Sequence, residues 1–375
     1  MQKKLLVAAI ASLVAGNALA ANIYKDETTT VDVYGELRPY YHDTNNSDAA
    51  KGASDVHEIT AEGSKLGFNV RHELNDQWYT RANMEWGYDG TRDDGDNEDK
   101  LETNYAYVAI GSAALGEISM GRLDSVQDTI GDKHDFSYEV DNGGASNVGD
   151  DWMGTDTADN AVGYQWTRDG LTVMLQAQGH SKTYEGMQIG QNTALVTKAD
   201  IRYGAAGGVN WQSENGFSVS GTLTTVELNN IEGGIATADQ KLTVNSGLVS
   251  ADYTVGDLTL AATYTMVRYE ADKKIANETP EADQDGYGLG ARYAMGKASV
   301  YGGYDYLTTD YKTDGVEKEK QTVYLLGVDY SFTDMLTLFA EYSNSQTDNW
   351  AGLADTVADH DGKTQAFAVG TRFYF

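Results

Sequence analysis

Apolar and polar residues alternate along most of this chain, in short segments that are separated by turns and loops. In the last segment, Phe367, Val369 and Phe373 share one face of an extended chain, whereas Arg372 and Tyr374 share the other. Many earlier segments have the same polarity. An apolar face opposite a face that carries arginine suits a membrane barrel, in which one face meets lipid and the other meets water. The pattern therefore predicts a series of transmembrane β-strands.

The number and spacing of these segments predict the fold. We place sixteen strands at residues 30–42, 64–74, 76–88, 102–110, 115–122, 160–167, 171–179, 200–212, 217–227, 246–255, 258–269, 285–295, 298–309, 320–332, 335–346 and 364–375. Tight turns such as Asp169-Gly170 alternate with long polar connections. An even strand number, short periplasmic turns and long outer loops are features of bacterial outer-membrane barrels. We therefore expect an all-β fold, a 16-stranded antiparallel transmembrane β-barrel.

The amino terminus has the features of an export signal. Lys3 and Lys4 precede an apolar stretch at residues 5–16, and Ala18-Leu19-Ala20 fits the small-residue rule for cleavage. The apolar stretch is too short to span a bilayer core of about 30 Å. We predict a signal peptide at residues 1–20 and one barrel domain at residues 21–375.

The amino-acid composition limits the range of possible functions. The chain has 41 glycines, 25 tyrosines, two prolines and no cysteine. A closed barrel needs no disulfides, because every strand is paired. The net charge of −30 excludes affinity for nucleic acid and favours cations.

The sequence carries no pattern that is typical of an enzyme. Its six histidines are scattered without metal-ligand spacing, and a Gly-x-Ser-x-Gly motif and a phosphate-binding loop are both absent. The glycine-rich run 286–290 lies inside a predicted strand, with no helix after it. No enzymatic activity and no cofactor are predicted. The acidic run 93–99 could bind divalent cations loosely, although a solvated loop tip is the simpler interpretation.

The longest connection, residues 123–159, is the candidate constriction of a pore, because long loops without secondary structure are usually functional. Folded inward, it would place an acidic edge opposite the barrel wall. The candidate acidic residues are Asp128, Asp132, Asp135, Glu139 and Asp141 of this loop, with Glu36 on the wall. The residues alone are equally compatible with an ordinary external loop that stays outside the pore.

Basic residues on the polar strand faces would form the opposite side of such a pore. Arginine or lysine facing lipid at the bilayer midplane would cost about 2–4 kcal/mol, so an inward direction is favoured. The residues concerned are Arg38, Lys65, Arg71, Arg81, Arg122, Arg202, Arg292 and Arg372.

Short motifs in a fixed order give the chain a family resemblance. Val31-Asp32-Val33-Tyr34-Gly35, Ser64-Lys65-Leu66-Gly67-Phe68, residues 116–122, residues 159–164 and the terminal Arg372-Phe373-Tyr374-Phe375 follow one another along the chain. In this order they resemble the Gram-negative general diffusion porins, and the resemblance extends in organisation over the whole mature chain.

This resemblance implies a homotrimer whose third loop folds into the lumen opposite a ladder of basic residues, and a terminal Phe375 that is read by the assembly machinery. Lys65 takes one ladder position, whereas Glu36 and Asn104 occupy two positions at which many relatives have a base. A more acidic constriction is therefore expected.

Two functions are compatible with these features. The leading one is an outer-membrane, water-filled, cation-preferring pore for small hydrophilic solutes and ions, in contact with outer-membrane lipid and lipopolysaccharide. The alternative is an adhesin or phage receptor whose acidic outer loops bind partners. Both functions can coexist in one barrel.

Overall fold

The structure is a computed structural model of the 375-residue chain. It describes residues 20–48, 56–89, 100–140, 157–189, 193–232, 241–272, 281–312, 317–348 and 362–375. No helix in these ranges is long and apolar enough to cross a membrane.

Strands dominate the described chain. They are β1 Ala21–Lys25, β2 Thr29–Leu37, β3 Tyr40–Asp48, β4 Val56–Thr60, β5 Ser64–Glu73, β6 Tyr79–Asp89, β7 Lys100–Ser112, β8 Gly116–Asp124, β9 Thr157–Arg168, β10 Leu171–Gln178, β11 Ser181–Ile189, β12 Thr193–Gln212, β13 Phe217–Glu232, β14 Leu242–Val255, β15 Leu258–Ala271, β16 Glu281–Met295, β17 Ala298–Tyr311, β18 Glu319–Thr333, β19 Leu336–Asp348 and β20 Gly362–Tyr374. One short helix, α1 Val126–Ile130, follows β8.

These segments form a closed antiparallel barrel. The pairs β2 with β3, β4 with β5, and β10 with β11 are consecutive parts of single barrel strands, so that sixteen barrel strands result, with β1 in addition. Each barrel strand pairs with its sequence neighbours, and β20 closes the ring by pairing with β19 on one side and with β3 and β2 on the other. The predicted fold class is confirmed.

The strand β1 was not predicted. It pairs with β2 in a register that places Ala21 opposite Val33. Two residues further along β2, Gly35 exchanges backbone hydrogen bonds of 2.9 and 3.1 Å with Phe375. The strand β1 therefore continues the hydrogen-bond ladder where β20 ends. The predicted signal peptide lies almost wholly outside the described residues and stays a prediction.

Several predicted loops proved to be strand. Much of 43–63 belongs to β3 and β4, and most of 180–199 belongs to β11 and β12. In sequence, residues 42–48 of β3 are all polar, and β11 mixes polar and apolar residues without regular alternation, so the pattern that marks the membrane-spanning part does not reveal these extensions. At the opposite end of the barrel the turns are tight. Asp169 and Gly170 both have positive φ, 51° and 81°, which is the backbone of a two-residue hairpin turn.

The predicted polarity of the wall holds along most strands. On β13, Leu223 is exposed on the outer face, whereas its neighbours Thr222 and Thr224 are buried on the inner face. An exception is the segment around Arg202. A break in register between Ile201 and Tyr203 reverses the expected directions there.

As a result, the prediction that Arg202 faces inward is wrong. Ile201 is buried in an apolar cluster inside the barrel, and Arg202 is exposed. The Arg202 guanidinium pairs with Glu227 and lies 5.6 Å from the ring centroid of Tyr203. These two contacts on the outer face offset the charge of Arg202.

Candidate functional site

The loop that follows β8 runs inside the barrel, and its first part is the helix α1. The Ser125 side chain accepts a 3.0 Å hydrogen bond from the backbone N–H of Asp128 and so caps the helix. Val126 and Ile130 are buried against the wall at Gly208 of β12, where any Cβ would collide with both side chains.

An apolar patch of the inner wall receives this helix. Leu123, Val126 and Ile130 belong to one buried cluster with inward residues such as Val226 and Val244. The expectation that the inner face is polar throughout is therefore wrong for this region. A loop that packs on the wall excludes water there, and the wall beneath it follows the rule for a protein core.

Beyond the helix, hydrogen bonds fasten the loop to successive strands. Ser220 of β13 donates to the backbone oxygen of Gly131 at 2.6 Å. Thr263 of β15 donates to Asp132 at 2.6 Å. His134 then bridges two carboxylates, with Nδ1 2.7 Å from Asp132 and Nε2 2.7 Å from Asp305 of β17.

His134 carries a proton that this bridge holds in place. Burial by itself would lower the pKa of His134, but the hydrogen bonds and charges of Asp132 and Asp305 outweigh it and raise the pKa to about 10. Burial likewise opposes ionisation of Asp132, yet its bond to His134 holds its pKa at about 2. A cation between two carboxylates is thus maintained over the whole neutral range.

Glycines of β16 make room for this bridge. Gly288 and Gly290 lie at inward positions, and a Cβ on Gly288 would overlap the ring of His134. A Cβ on Gly290 would overlap the backbone of His134 and crowd Phe136. The glycines of this strand therefore leave a face without side chains, on which the loop packs closely.

A second anchor holds residues 138–140. The carboxylate of Glu341 on β19 accepts hydrogen bonds from the backbone N–H groups of Tyr138, Glu139 and Val140, at 2.6, 2.9 and 3.1 Å. The Tyr301 hydroxyl donates to the same carboxylate at 2.8 Å. We call the bridge of Asp132, His134 and Asp305 the histidine bridge, and this second site the Glu341 anchor.

Next to the Glu341 anchor, charges alternate between the loop and the wall. Arg372 of β20 lies 2.9 Å from Glu139 and 2.7 Å from Glu36, and Glu36 pairs with Arg38 at 2.8 Å. Burial, with the nearby charges of Glu341 and Glu36, outweighs the two arginines and raises the pKa of Glu139 to about 7.

Together these contacts define the course of the loop. Its described residues, 123–140, follow the inner wall from β10 to β20 and do not cover the part of the wall beside β5 to β9. A cavity of about 660 Å³ lies there, between the start of the loop and the wall. Its charged lining residues are Lys65, Arg71, Arg81, Glu85, Glu117, Asp124 and Asp128.

Most basic side chains of this wall are paired. Arg81 bonds to Glu117 and also lies over the ring of Tyr107, with 5.3 Å to its centroid. Arg71 bonds to Glu73 at 2.6 Å. Pairing reduces the field that these bases project into the lumen.

The predicted acidic residues have different positions. Asp128 is exposed and lines the cavity. Asp132 and Glu139 belong to the anchors, and Asp135 accepts 2.8 and 2.7 Å hydrogen bonds from Ser137. Asp141 and the acidic run 93–99 lie outside the described residues. Their part in selectivity stays a prediction.

The predicted basic residues also divide into groups. Lys65 and Arg81 line the cavity, and Arg38 belongs to the cluster at Glu36. Arg122 is outside the cavity lining; it bonds to Asp159 at 2.8 Å and to the backbone oxygen of Asn104 at 3.0 Å. Over the described ranges, no group of three or more His, Asp or Glu side chains is arranged to hold a metal ion.

Sequence reasoning missed the residues that hold the loop. His134 was one of six scattered histidines, and Asp305 and Glu341 were ordinary polar positions in strands. A signal was nevertheless present. Carboxylates at inward positions beside glycine-rich strand faces, as at Gly288 and Gly290, indicate that a second segment of chain packs on that face.

The chain was compared with known proteins. A family model described as Gram-negative porin matches residues 6–350. The outer membrane porin protein OmpD of Citrobacter koseri is 25% identical over 399 aligned positions that cover both chains in full. A protein of Halomonas named monosaccharide porin is 25% identical over 331 positions, which cover 84% of this chain and 82% of that protein.

A solved structure has the same fold. OmpT of Vibrio cholerae, an outer-membrane protein folded in vitro and described as a trimer form, superposes with a TM-score of 0.67 at 18% identity. The match covers 93% of this chain and all of that one.

Proposed function

This chain belongs to the Gram-negative porin family and is an outer-membrane porin, and we propose that it passes small hydrophilic solutes and ions passively, as a homotrimer, with a preference for cations. The observation that carries the proposal is the course of the loop. Two anchors hold its described residues, 123–140, against one side of the lumen, and solutes that pass this part of the loop would cross beside β5 to β9. A fixed loop in a closed barrel sets bore and charge without any moving part.

The charges around the cavity support a preference for cations. Four carboxylates and three basic side chains line it. Two of the three bases, Arg71 and Arg81, are paired with Glu73 and Glu117. Asp128 is exposed on the loop side. Charges beyond about 8 Å are screened at physiological salt, so these nearby groups should outweigh the overall charge of the chain.

The outer face of the barrel is apolar, as both lipid contact and trimer assembly require. Val108, Ile118 and Met120 of β7 and β8 are aliphatic and each more than half exposed in the single chain. Farther round the barrel, Leu289 and Leu326 are exposed to a similar extent. An apolar outer face of this kind can meet lipid or another protomer. The homotrimer is proposed from the family and from the trimer form of the OmpT structure.

The solute class follows from the polar lining and agrees with the name of the Halomonas relative, monosaccharide porin. Outer-membrane lipid and lipopolysaccharide are the proposed partners of the remaining outer face. The acidic loops on which an adhesin or phage-receptor role would depend are largely outside the described residues, and that role stays a prediction.

Reversal potentials in planar bilayers test the cation preference. Asp128→Asn should move the reversal potential in a salt gradient toward that of an unselective pore. Asp257→Asn, in an exposed turn between β14 and β15, is the matched control and should change little. A control variant that shifts the potential as much as Asp128→Asn would contradict the assignment of the constriction.

A further inference from the structure

We propose that the cavity beside the loop is a binding subsite for a neutral polyhydroxylated solute the size of a monosaccharide. The inference rests on the proposed pore function and adds to it a site at which the solute binds transiently. We call this cavity the tyrosine cavity, after four inward tyrosines in its lining, Tyr34, Tyr79, Tyr105 and Tyr107.

The tyrosine cavity lies between the wall and the start of the loop, on the side of the lumen that residues 123–140 do not cover. Its upper edge is the start of the loop, at Asp124, Asp128 and Thr129. Its lower edge includes Ser112 and Gly116, which flank a tight turn at the periplasmic end. A solute that has passed the constriction enters this space next. Its volume of about 660 Å³ lies in the range of small-molecule sites, about 300–1,000 Å³.

Four carboxylates against three bases give the lining a small negative charge, which biases the passage of ions, but the two signs are mixed and favour a neutral group as the bound ligand. Bases and carboxylates are interleaved, and the Arg81 guanidinium is bonded to Glu117. The same carboxylate accepts a 3.0 Å hydrogen bond from Tyr79. An anion would meet Asp128 and Glu85, and a cation would meet Lys65. A hydroxyl both donates and accepts, so it can bond to either kind of group.

The aromatic residues supply the complementary apolar contact. A sugar ring has hydroxyls at its edge and C–H groups on its faces. Tyrosine offers a flat apolar body with a polar end and suits such a mixed surface. Arg71 stacks on Tyr79, 3.5 Å from the ring centroid, and Tyr34 donates to Asn83 at 3.1 Å. These contacts fix the side chains before a solute arrives.

Among the buried polar atoms of the lining, the Nε donor of Arg81 and the Oε1 acceptor of Gln176 have no hydrogen-bond partner in the described part of the chain. Gln176 is 6% exposed, and its amide nitrogen donates to the backbone oxygen of Asp124 at 2.8 Å. Buried polar atoms are nearly always satisfied by protein, water or ligand. A donor and an acceptor in one cavity suit a hydrated or hydroxylated occupant.

The experiment measures ion current through single channels while glucose is added, with glycerol at equal viscosity as the reference. Binding of glucose should reduce the current in a saturable manner, whereas glycerol should reduce it only in proportion to viscosity. Tyr107→Ala and Gln176→Met should each raise the half-saturating glucose concentration by about fivefold or more, the effect of one lost hydrogen bond or contact. Tyr287→Ala, at an exposed outer position, should leave it unchanged.

Other results of this experiment distinguish a failure of the subsite from a failure of the pore function. Channels that conduct ions and respond to glucose as they do to glycerol would overturn the subsite and leave the pore function intact. Saturable block by inorganic phosphate with none by glucose would overturn the choice of a neutral ligand. Reconstituted protein that conducts no ions would overturn the pore function and the subsite with it.

Discussion

Replacement of His134 by alanine should release the loop from the wall. The His134 and Asp305 side chains are both 0% exposed, and the second partner, Asp132, is 21% exposed. Removing one member of a buried ion pair costs about 3–5 kcal/mol, because the other charge is left without compensation. Because water can reach Asp132, we expect a cost at the lower end of this range. About 3 kcal/mol corresponds to an increase of roughly 100-fold in the population with the loop detached.

The absence of native cysteine makes this population measurable. A single cysteine introduced as Val140→Cys occupies a position that is 2% exposed and lies beside the Glu341 anchor. Its thiol can react with a small methanethiosulfonate reagent only when the loop lifts. When closing is faster than labelling, the rate follows the detached population. His134→Ala should therefore accelerate labelling by about two orders of magnitude.

Two controls decide whether charge is the cause. His180→Ala removes an exposed histidine and should leave labelling unchanged. Asp305→Asn in the His134→Ala background removes the stranded charge and should slow labelling again, which loss of packing alone would not produce. An increase below about threefold for His134→Ala, or no recovery in the double variant, would refute the reasoning.

Three further predictions use the same Val140→Cys reporter. Gly288→Ala should accelerate labelling as strongly as His134→Ala, because the added Cβ would occupy the space of the His134 ring. Labelling at the wild-type rate would contradict the close packing of the loop on Gly288. Glu341→Gln should accelerate labelling by at least tenfold, because the side-chain amide replaces one accepting oxygen with a donor that faces backbone N–H groups. An unchanged labelling rate would count against the Glu341 anchor. Glu139 has a pKa of about 7, above its ordinary 4.5, so its contribution to docking is complete below pH 4.5 and is lost as pH rises through 7. Labelling, normalised to an exposed cysteine, should rise over that window, and Glu139→Gln should abolish the rise.

The sequence predicts the barrel well because a membrane strand must show one apolar and one polar face along its whole length. The last strand, with Phe367 and Phe373 outside and Arg372 inside, illustrates this constraint. Regular alternation of apolar and polar residues is absent from the end of β3 and from β11, so the sequence gives no signal for these strand extensions. A bulge such as that at Ile201 is also invisible, because one inserted residue reverses the faces without altering the composition.

The site was less predictable for a different reason. The acids of the loop are evident in the sequence, but their roles depend on which strand each one meets. Asp132 and Glu139 lie near Asp128 in the chain, yet Asp132 bonds to Thr263 of β15 and Glu139 pairs with Arg372 of β20. Those contacts join residues far apart in sequence, and only the course of the loop brings them together.

The most direct test of a loop-bounded pore is the current through Asp128→Cys channels before and after reaction with a bulky thiol reagent. Because the chain has no other cysteine, the reagent marks this position alone. The account predicts that the current falls in three equal steps as each pore of the trimer is labelled. Complete labelling, shown by mass spectrometry, with an unchanged current would contradict it.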